Sequence, residues 1–251
     1  MPFTGAHPLA ITPLLRIRSL DATALVIGSM APDFEYFAHG EEAGSFGHTL
    51  LGLVLWCLPV TAALGLAWHH VVKWPLIVAS PDPIARRVAR QAPWKPGPLA
   101  IVGALIGAAS HDVWDAFTHA DGFVVRRWDD LRAPVDVPIL GHTVVHRVLQ
   151  HGFSIVAFPI VLALIARAIY RRAPVELPPR AAWKARLVLV GLGGVGIAAT
   201  VCRAVYLRHV HDAGDVIVAI IAGGLAGTTL ASLILRRDAL VVRSVSGHRD
   251  T

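Results

Sequence analysis

Apolar and polar residues along this chain fall into long blocks, not into a short helical or strand period. From Ala43 to Val72 there is no Lys, Arg, Asp or Glu. The core of that run, LLGLVLWCLPVTAALGLAW, supplies the ~20 mostly apolar residues that a bilayer-crossing helix needs. Pro59 lies inside it and predicts a kink, which membrane helices tolerate. A second segment starts near Pro98, PLAIVGALIGAASHDVWDAFTH. Its apolar part is short, because its last two turns carry His111, Asp112, Asp115 and His119. Three more spans are expected, from about His151 to Tyr170, Leu187 to Leu207 and Val216 to Leu235. A shorter run between Ser19 and Met30, LDATALVIGSM, predicts an interfacial, re-entrant or buried cap helix, with a sixth span as the alternative. The expected fold class is all-α: a polytopic membrane helical bundle of about five transmembrane helices plus short N-terminal helices. It is expected as one domain over residues 1–237, with residues 1–45 as an outer-side segment and 238–251 as a cytoplasmic tail.

Composition narrows the class further. Of 251 residues, 55% are hydrophobic and only 16% are charged, against roughly a quarter charged in ordinary soluble domains. The mean hydropathy is +0.58. Disordered, collagen-like and coiled-coil chains are excluded. The net charge is +6, and its placement matters more than its size. The 73–97 loop carries Lys73, Arg86, Arg87, Arg90 and Lys95 against Asp82. The 171–186 loop carries Arg171, Arg172, Arg180, Lys184 and Arg186 against Glu176, and the tail opens with Arg236 and Arg237. These segments alternate with residues 1–45, 120–150 and 208–214. The positive-inside rule puts the basic set in the cytoplasm and the N-terminus outside. The basic loops then read as cytoplasmic charges that can meet anionic lipid, with no nucleic-acid partner. No secretory signal peptide is expected at the start. Cys57 and Cys202 lie in apolar runs and read as buried thiols. VGLGGVGIAA at 190–199 reads as helix packing through small residues.

The charge rule did not use histidine, yet most of the 13 histidines sort to the same side. His7, His39, His48, His111, His119, His142, His146, His151, His209 and His211 fall in outside segments or at outside helix ends. Only His69, His70 and His248 do not. The sharpest motif is His111-Asp-Val-Trp-Asp115-Ala-Phe-Thr-His119. On a helix, residues four apart are neighbours, so His111, Asp115 and His119 form one stripe. Imidazole and carboxylate are usual ligands for zinc and similar divalent ions, and ionisable groups at a membrane helix end are rare and usually functional. His142 and His146 repeat the spacing, extended by Gln150 and His151. Upstream stand His7, Asp33 after Pro32, and His48. Alone, Asp33 reads as a helix cap and His48 as an interfacial histidine. In the order His, Asp, His, His-x3-Asp, His, His-x3-His they read together as a site.

The segments MPFTGAHPLA, VIGSMAPDFEYF, FGHTLLGL, HDVWDAFTH and HRVLQHG resemble a bacterial membrane family known as domain of unknown function 4184. More distantly, the order of residues is similar to the inner-membrane metal-dependent hydrolases and to the zinc-dependent phospholipase C and P1 nuclease group, an all-helical fold with a zinc cluster. The resemblance implies metal ligands at His7, Asp33, His48, His111, Asp115, His119, His142 and His146. It departs from the zinc enzymes at His146, where they have Glu, and at Met1, which is not expected to serve as an N-terminal ligand. The implied cofactor is a divalent metal, zinc, in one or two copies. The implied activity is hydrolysis of a phosphoester such as a lipid head group, in the bacterial inner membrane with the site outward. Asp33 is the candidate catalytic residue, as ligand or base near the attacking water. The alternatives are a non-catalytic membrane protein with a structural metal site, or a metal transporter. Transport would call for ligands near the midplane on broken helices.

Overall fold

The computed structural model describes residues 3–41, 44–89, 94, 96–138, 141–207, 213–237, 239, 240 and 242. The expectations for Arg90, Lys95, His209, His211, His248 and most of the tail lie outside the described residues.

Among the described residues the structure is helical apart from one small hairpin. In order come α1 (Pro8–Ile11), α2 (Ala22–Gly28), α3 (Phe34–His39), α4 (Leu50–Ala79), α5 (Asp82–Val88), α6 (Pro98–Thr118), α7 (Val145–Tyr170), α8 (Ala182–Tyr206) and α9 (Ala213–Ile234). Strands β1 (Pro134–Val137) and β2 (Gly141–Val144) pair antiparallel with Val135 opposite Thr143. Among the described residues four helices are long and apolar enough to cross a membrane: α4, α7, α8 and α9 from Gly214. Their large apolar side chains stand outward, as with Leu50, Ile155 and Val190, which are 87%, 71% and 75% exposed. Such wide exposed apolar surface requires a non-aqueous neighbour.

The second expected span is one continuous 21-residue helix, α6, but it is not among those four. Its length, roughly 30 Å at 1.5 Å per residue, suffices. The polar residues of its last two turns set it apart in composition. Its first turns expose Leu99, Ile101 and Val102. In α4, π-helical turns at Leu53–Cys57 and Trp68–Val72 precede Pro59 and Pro75. Proline offers no N–H to the preceding turn and crowds its carbonyl, and a widened turn relieves this.

Where one domain was expected, the packing divides into two units. The first takes residues 1–34, 45–62 and 96–165, and the second takes 35–44, 63–95 and 166–251. In the first, α2 lies along α6. The expected short helix at 19–30 is therefore a buried partner of α6, capped by the Asp21 carboxylate on Ala24 N–H. Gly107 makes the close approach possible, since a Cβ there would come within 2.6 Å of Ser29 N. The two helices run parallel, with Asp21 beside Gly103 and Ser29 beside His111.

In the second unit, Trp74, Ile77, Val78, Ala85, Leu189, Ala231 and Leu235 form the core. Helices α8 and α9 pack through small residues, and Thr200 donates to Ala219 O. Two arginines of the basic 171–186 loop bond the end of α4. Arg180 donates to Val78 O and Ser80 O and pairs with Asp82, and Arg186 donates to Ala79 O. The last turn of α4 leaves carbonyls without helical partners, and these guanidinium groups satisfy them.

Candidate metal centre

Four donor residues meet in the first unit from three separate stretches of chain. Asp33 ends the turn after α2, in the position preceding α3. It is 2% exposed. His48 closes the 3-10 turn Phe46–His48, and Thr49 then caps α4 by accepting Gly52 N–H. Gly47 lets this turn sit against Pro32, since a Cβ there would meet Pro32 O at 2.8 Å. His111 and Asp115 come from one face of α6, four residues apart. One donor atom from each of Asp33, His48, His111 and Asp115 lies within 4.8 Å of all the others.

The separations have a chemical meaning. His111 Nε2 is 3.4 Å from Asp33 Oδ1 and 3.2 Å from Asp115 Oδ2, and His48 Nε2 is 3.6 and 3.7 Å from the same two oxygens. Charge-assisted N–H···O bonds run shorter, about 2.7–2.9 Å. Two ligands of a tetrahedral ion with ~2.0–2.1 Å bonds sit about 3.3–3.4 Å apart. The four contacts therefore match the edges of a coordination shell better than hydrogen bonds. His111 Nε2 is buried with no hydrogen-bond partner, the expected state of a nitrogen whose partner is an ion.

Outer contacts fix the donors. His111 Nδ1 donates to Ser29 O at 2.9 Å. A carbonyl can only accept, so Nδ1 carries a proton, and Nε2 is the nitrogen that faces the two carboxylates. Thr4 Oγ1 donates to Asp33 Oδ2 at 2.6 Å, leaving Oδ1 for the imidazoles. Burial alone would raise the Asp33 pKa. The neighbouring His111, and then His48, whose ring nitrogens face the carboxylate, outweigh it and hold the carboxyl well below its ordinary value.

A second set of donors faces the other oxygen of Asp115. His119, the residue that ends α6, places Nδ1 3.5 Å from Asp115 Oδ1, and His7 places Nε2 3.9 Å from it. His7 stacks on His111 with ring centroids 3.7 Å apart, and both its ring nitrogens are buried without partners. Burial, then the adjacent His111, lower its pKa to about 3, so the ring is a neutral donor. Gln150 Nε2 lies 3.5 Å from His119 Nε2.

Of the eight residues expected as ligands, the structure brings six together: His7, Asp33, His48, His111, Asp115 and His119. His146 is buried at the start of α7, where its Nδ1 donates to Leu131 O. His142 stands elsewhere. It lies on β2, exposed and paired with Asp136 at 2.9 Å. The His142–His146 spacing implied one helix face, but α7 begins only at Val145. Thr4 and the Ser29 carbonyl were not found from sequence, because neither residue type marks a metal site.

The donors fit a divalent ion: two imidazoles, two carboxylates and a buried His111 Nε2 without a hydrogen-bond partner. No curated protein and no solved structure gives a significant match to the chain. One family model does match, and it spans all of α1 to α9, every donor of the cluster included. The chain belongs to the family described as Domain of unknown function (DUF4184), matched over residues 1–234.

Proposed function

We propose that this protein is a metal-dependent hydrolase of the bacterial inner membrane that cleaves a phosphoester, with a lipid head group as substrate. The observation that carries the reading is the excess of donors. A structural ion needs four protein ligands, and Asp33, His48, His111 and Asp115 already provide them. Asp115 nevertheless turns its second oxygen to the buried His7 and the half-buried His119, a further set of donors that a single structural ion does not require. His7, Asp115 and His119 would hold a second ion, and zinc suits both donor sets. The distant likeness to the zinc phospholipase C and P1 nuclease group supports the same chemistry.

Bound divalent ions would lower the pKa of a water and polarise a phosphoryl oxygen. The chain's own residues then have separate tasks. Asp33, its Oδ2 pinned by Thr4, presents Oδ1 as an anionic ligand and as the base beside the water. Asp115 holds the two donor sets in one register. His48 and His119, 20% and 27% exposed at the side chain, form the side of the site that a substrate reaches.

A closed structural site is the second reading, favoured by the four protein ligands of the first set. Metal analysis and activity separate the two. Purified wild type should carry zinc, His111→Ala should lose it, and the loaded wild type should hydrolyse a phospholipid or a soluble phosphodiester. Asp33→Asn should abolish that activity with the protein still inserted, since an amide is neither base nor anionic ligand. Asp112→Asn, one residue from His111 and about 100° around the helix, should retain most of it. Metal without activity over a broad phosphoester panel would establish the structural site instead.

A further inference from the structure

The turn that follows His119 carries a surface that the metal centre does not explain. Residues 119–128 fold back on the end of α6: Gly122 N–H bonds His119 O, and the N–H groups of Val124 and Val125 both bond Ala116 O. Val125 is fully buried and Leu131 is 7% exposed. Leu131 O accepts from His146. The turn is thus pinned to the end of α6 on one side and, through Leu131, to His146 of α7 on the other.

Its outer surface is aromatic and cationic. Phe123 and Trp128 are 60% and 53% exposed, and Arg126 and Arg127 are exposed between them. The Arg127 guanidinium lies 3.7 Å over the Phe123 ring and donates to Phe123 O. Of the nearby acids, Asp129 pairs with Arg132 and Asp130 accepts from Trp128 Nε1, while Asp121 at the start of the turn is exposed. Among the described residues, Arg126 and Arg127 pair with no carboxylate.

We propose that this turn is a phospholipid-binding ledge. Phe123 and Trp128 enter the headgroup layer, and Arg126 and Arg127 hold a lipid phosphate beside the metal centre. Three observations favour a bilayer phospholipid as occupant. The turn follows α6 directly, and Leu131 just after it accepts from His146 in the first turn of α7, a helix of membrane-crossing length and composition. Tryptophan and arginine are stable at that depth because each joins an apolar body to a polar head. Two arginines without carboxylates complement a phosphate, which guanidinium binds through paired donors. Delivery of the headgroup to the centre rests on the hydrolase reading, whereas the ledge itself does not.

The test uses the full chain in nanodiscs of equal parts phosphatidylethanolamine and phosphatidylglycerol. Cys57 and Cys202 are replaced by Ala, and a nitroxide is placed at Phe123→Cys. His142→Cys, on the exposed hairpin, serves as the aqueous reference. The 123 label should be reached by oxygen in preference to a water-soluble nickel chelate, and the 142 label by the chelate. Arg126→Gln with Arg127→Gln should weaken phospholipid retention in detergent by roughly tenfold, the worth of one charge-assisted hydrogen bond. Its metal content should stay at the wild-type level. A 123 label as aqueous as the 142 label would overturn the ledge. Unchanged retention in the arginine variant would overturn its phosphate-binding role. A lipid-embedded 123 label with weakened retention supports the ledge even if wild type hydrolyses no phosphoester, a result that would remove the hydrolase reading alone.

Discussion

Thr4 donates the hydrogen bond that turns Asp33 Oδ1 toward the imidazoles. Thr4→Val keeps the shape but leaves Asp33 Oδ2 without its donor. Loss of such outer contacts typically costs 10–100-fold in metal affinity. Chelator competition on the purified protein should show a loss of roughly that size, while Thr4→Ser, which keeps the hydroxyl, should stay near wild type. A wild-type affinity in Thr4→Val would mean that Asp33 is oriented by the backbone turn alone. The donors themselves were legible in the sequence, because Asp33, His48, His111 and Asp115 are scarce ionisable residues in an apolar chain. Their outer partners were not. Thr4 is an ordinary residue in an ordinary position, and a carbonyl such as that of Ser29 has no sequence signature at all. His142 was misleading for a related reason: a four-residue spacing signals proximity only when both residues lie in one helix.

The contact between α2 and α6 decides whether Ser29 O can reach His111. It is built on Gly107, and a larger side chain there must push α2 away. Gly107→Leu should lengthen or break the His111 Nδ1–Ser29 O bond, freeing the ring to turn. The expected result is a lower melting temperature and loss of the stabilisation that added zinc gives wild type. Zinc stabilisation of normal size in Gly107→Leu would show that His111 is held without Ser29. At this scale the long apolar helices were readable from hydropathy alone, since length and composition suffice to name them. The fate of LDATALVIGSM was not. Seven helical residues are too few to span, and only the small residues of α6 opposite show that α2 is a buried partner. The arginines of the 171–186 loop illustrate the converse. Counting charge groups them together, whereas Arg180 and Arg186 are consumed in closing the last turn of α4.

For the molecule as a whole, α6 decides the topology. With only α4, α7, α8 and α9 crossing, the basic loops at 73–97 and 171–186 would fall on opposite faces. With α6 crossing as well, both lie in the cytoplasm, as the positive-inside rule requires. Reporter fusions at residues 90 and 135 should therefore read inside and outside, respectively. Both on one face would mean four crossings and a metal centre borne by a helix that does not span. The order of the donors along the chain has one more consequence, which concerns biogenesis. His7, Asp33 and His48 leave the ribosome before α4 has been threaded into the bilayer, and His111 and Asp115 follow only after α5. No segment made before α6 holds all four donors, so an ion could be captured there only after α6 has emerged. Capture of an ion by the four donors would then draw on the ions available in the compartment that α6 presents them to.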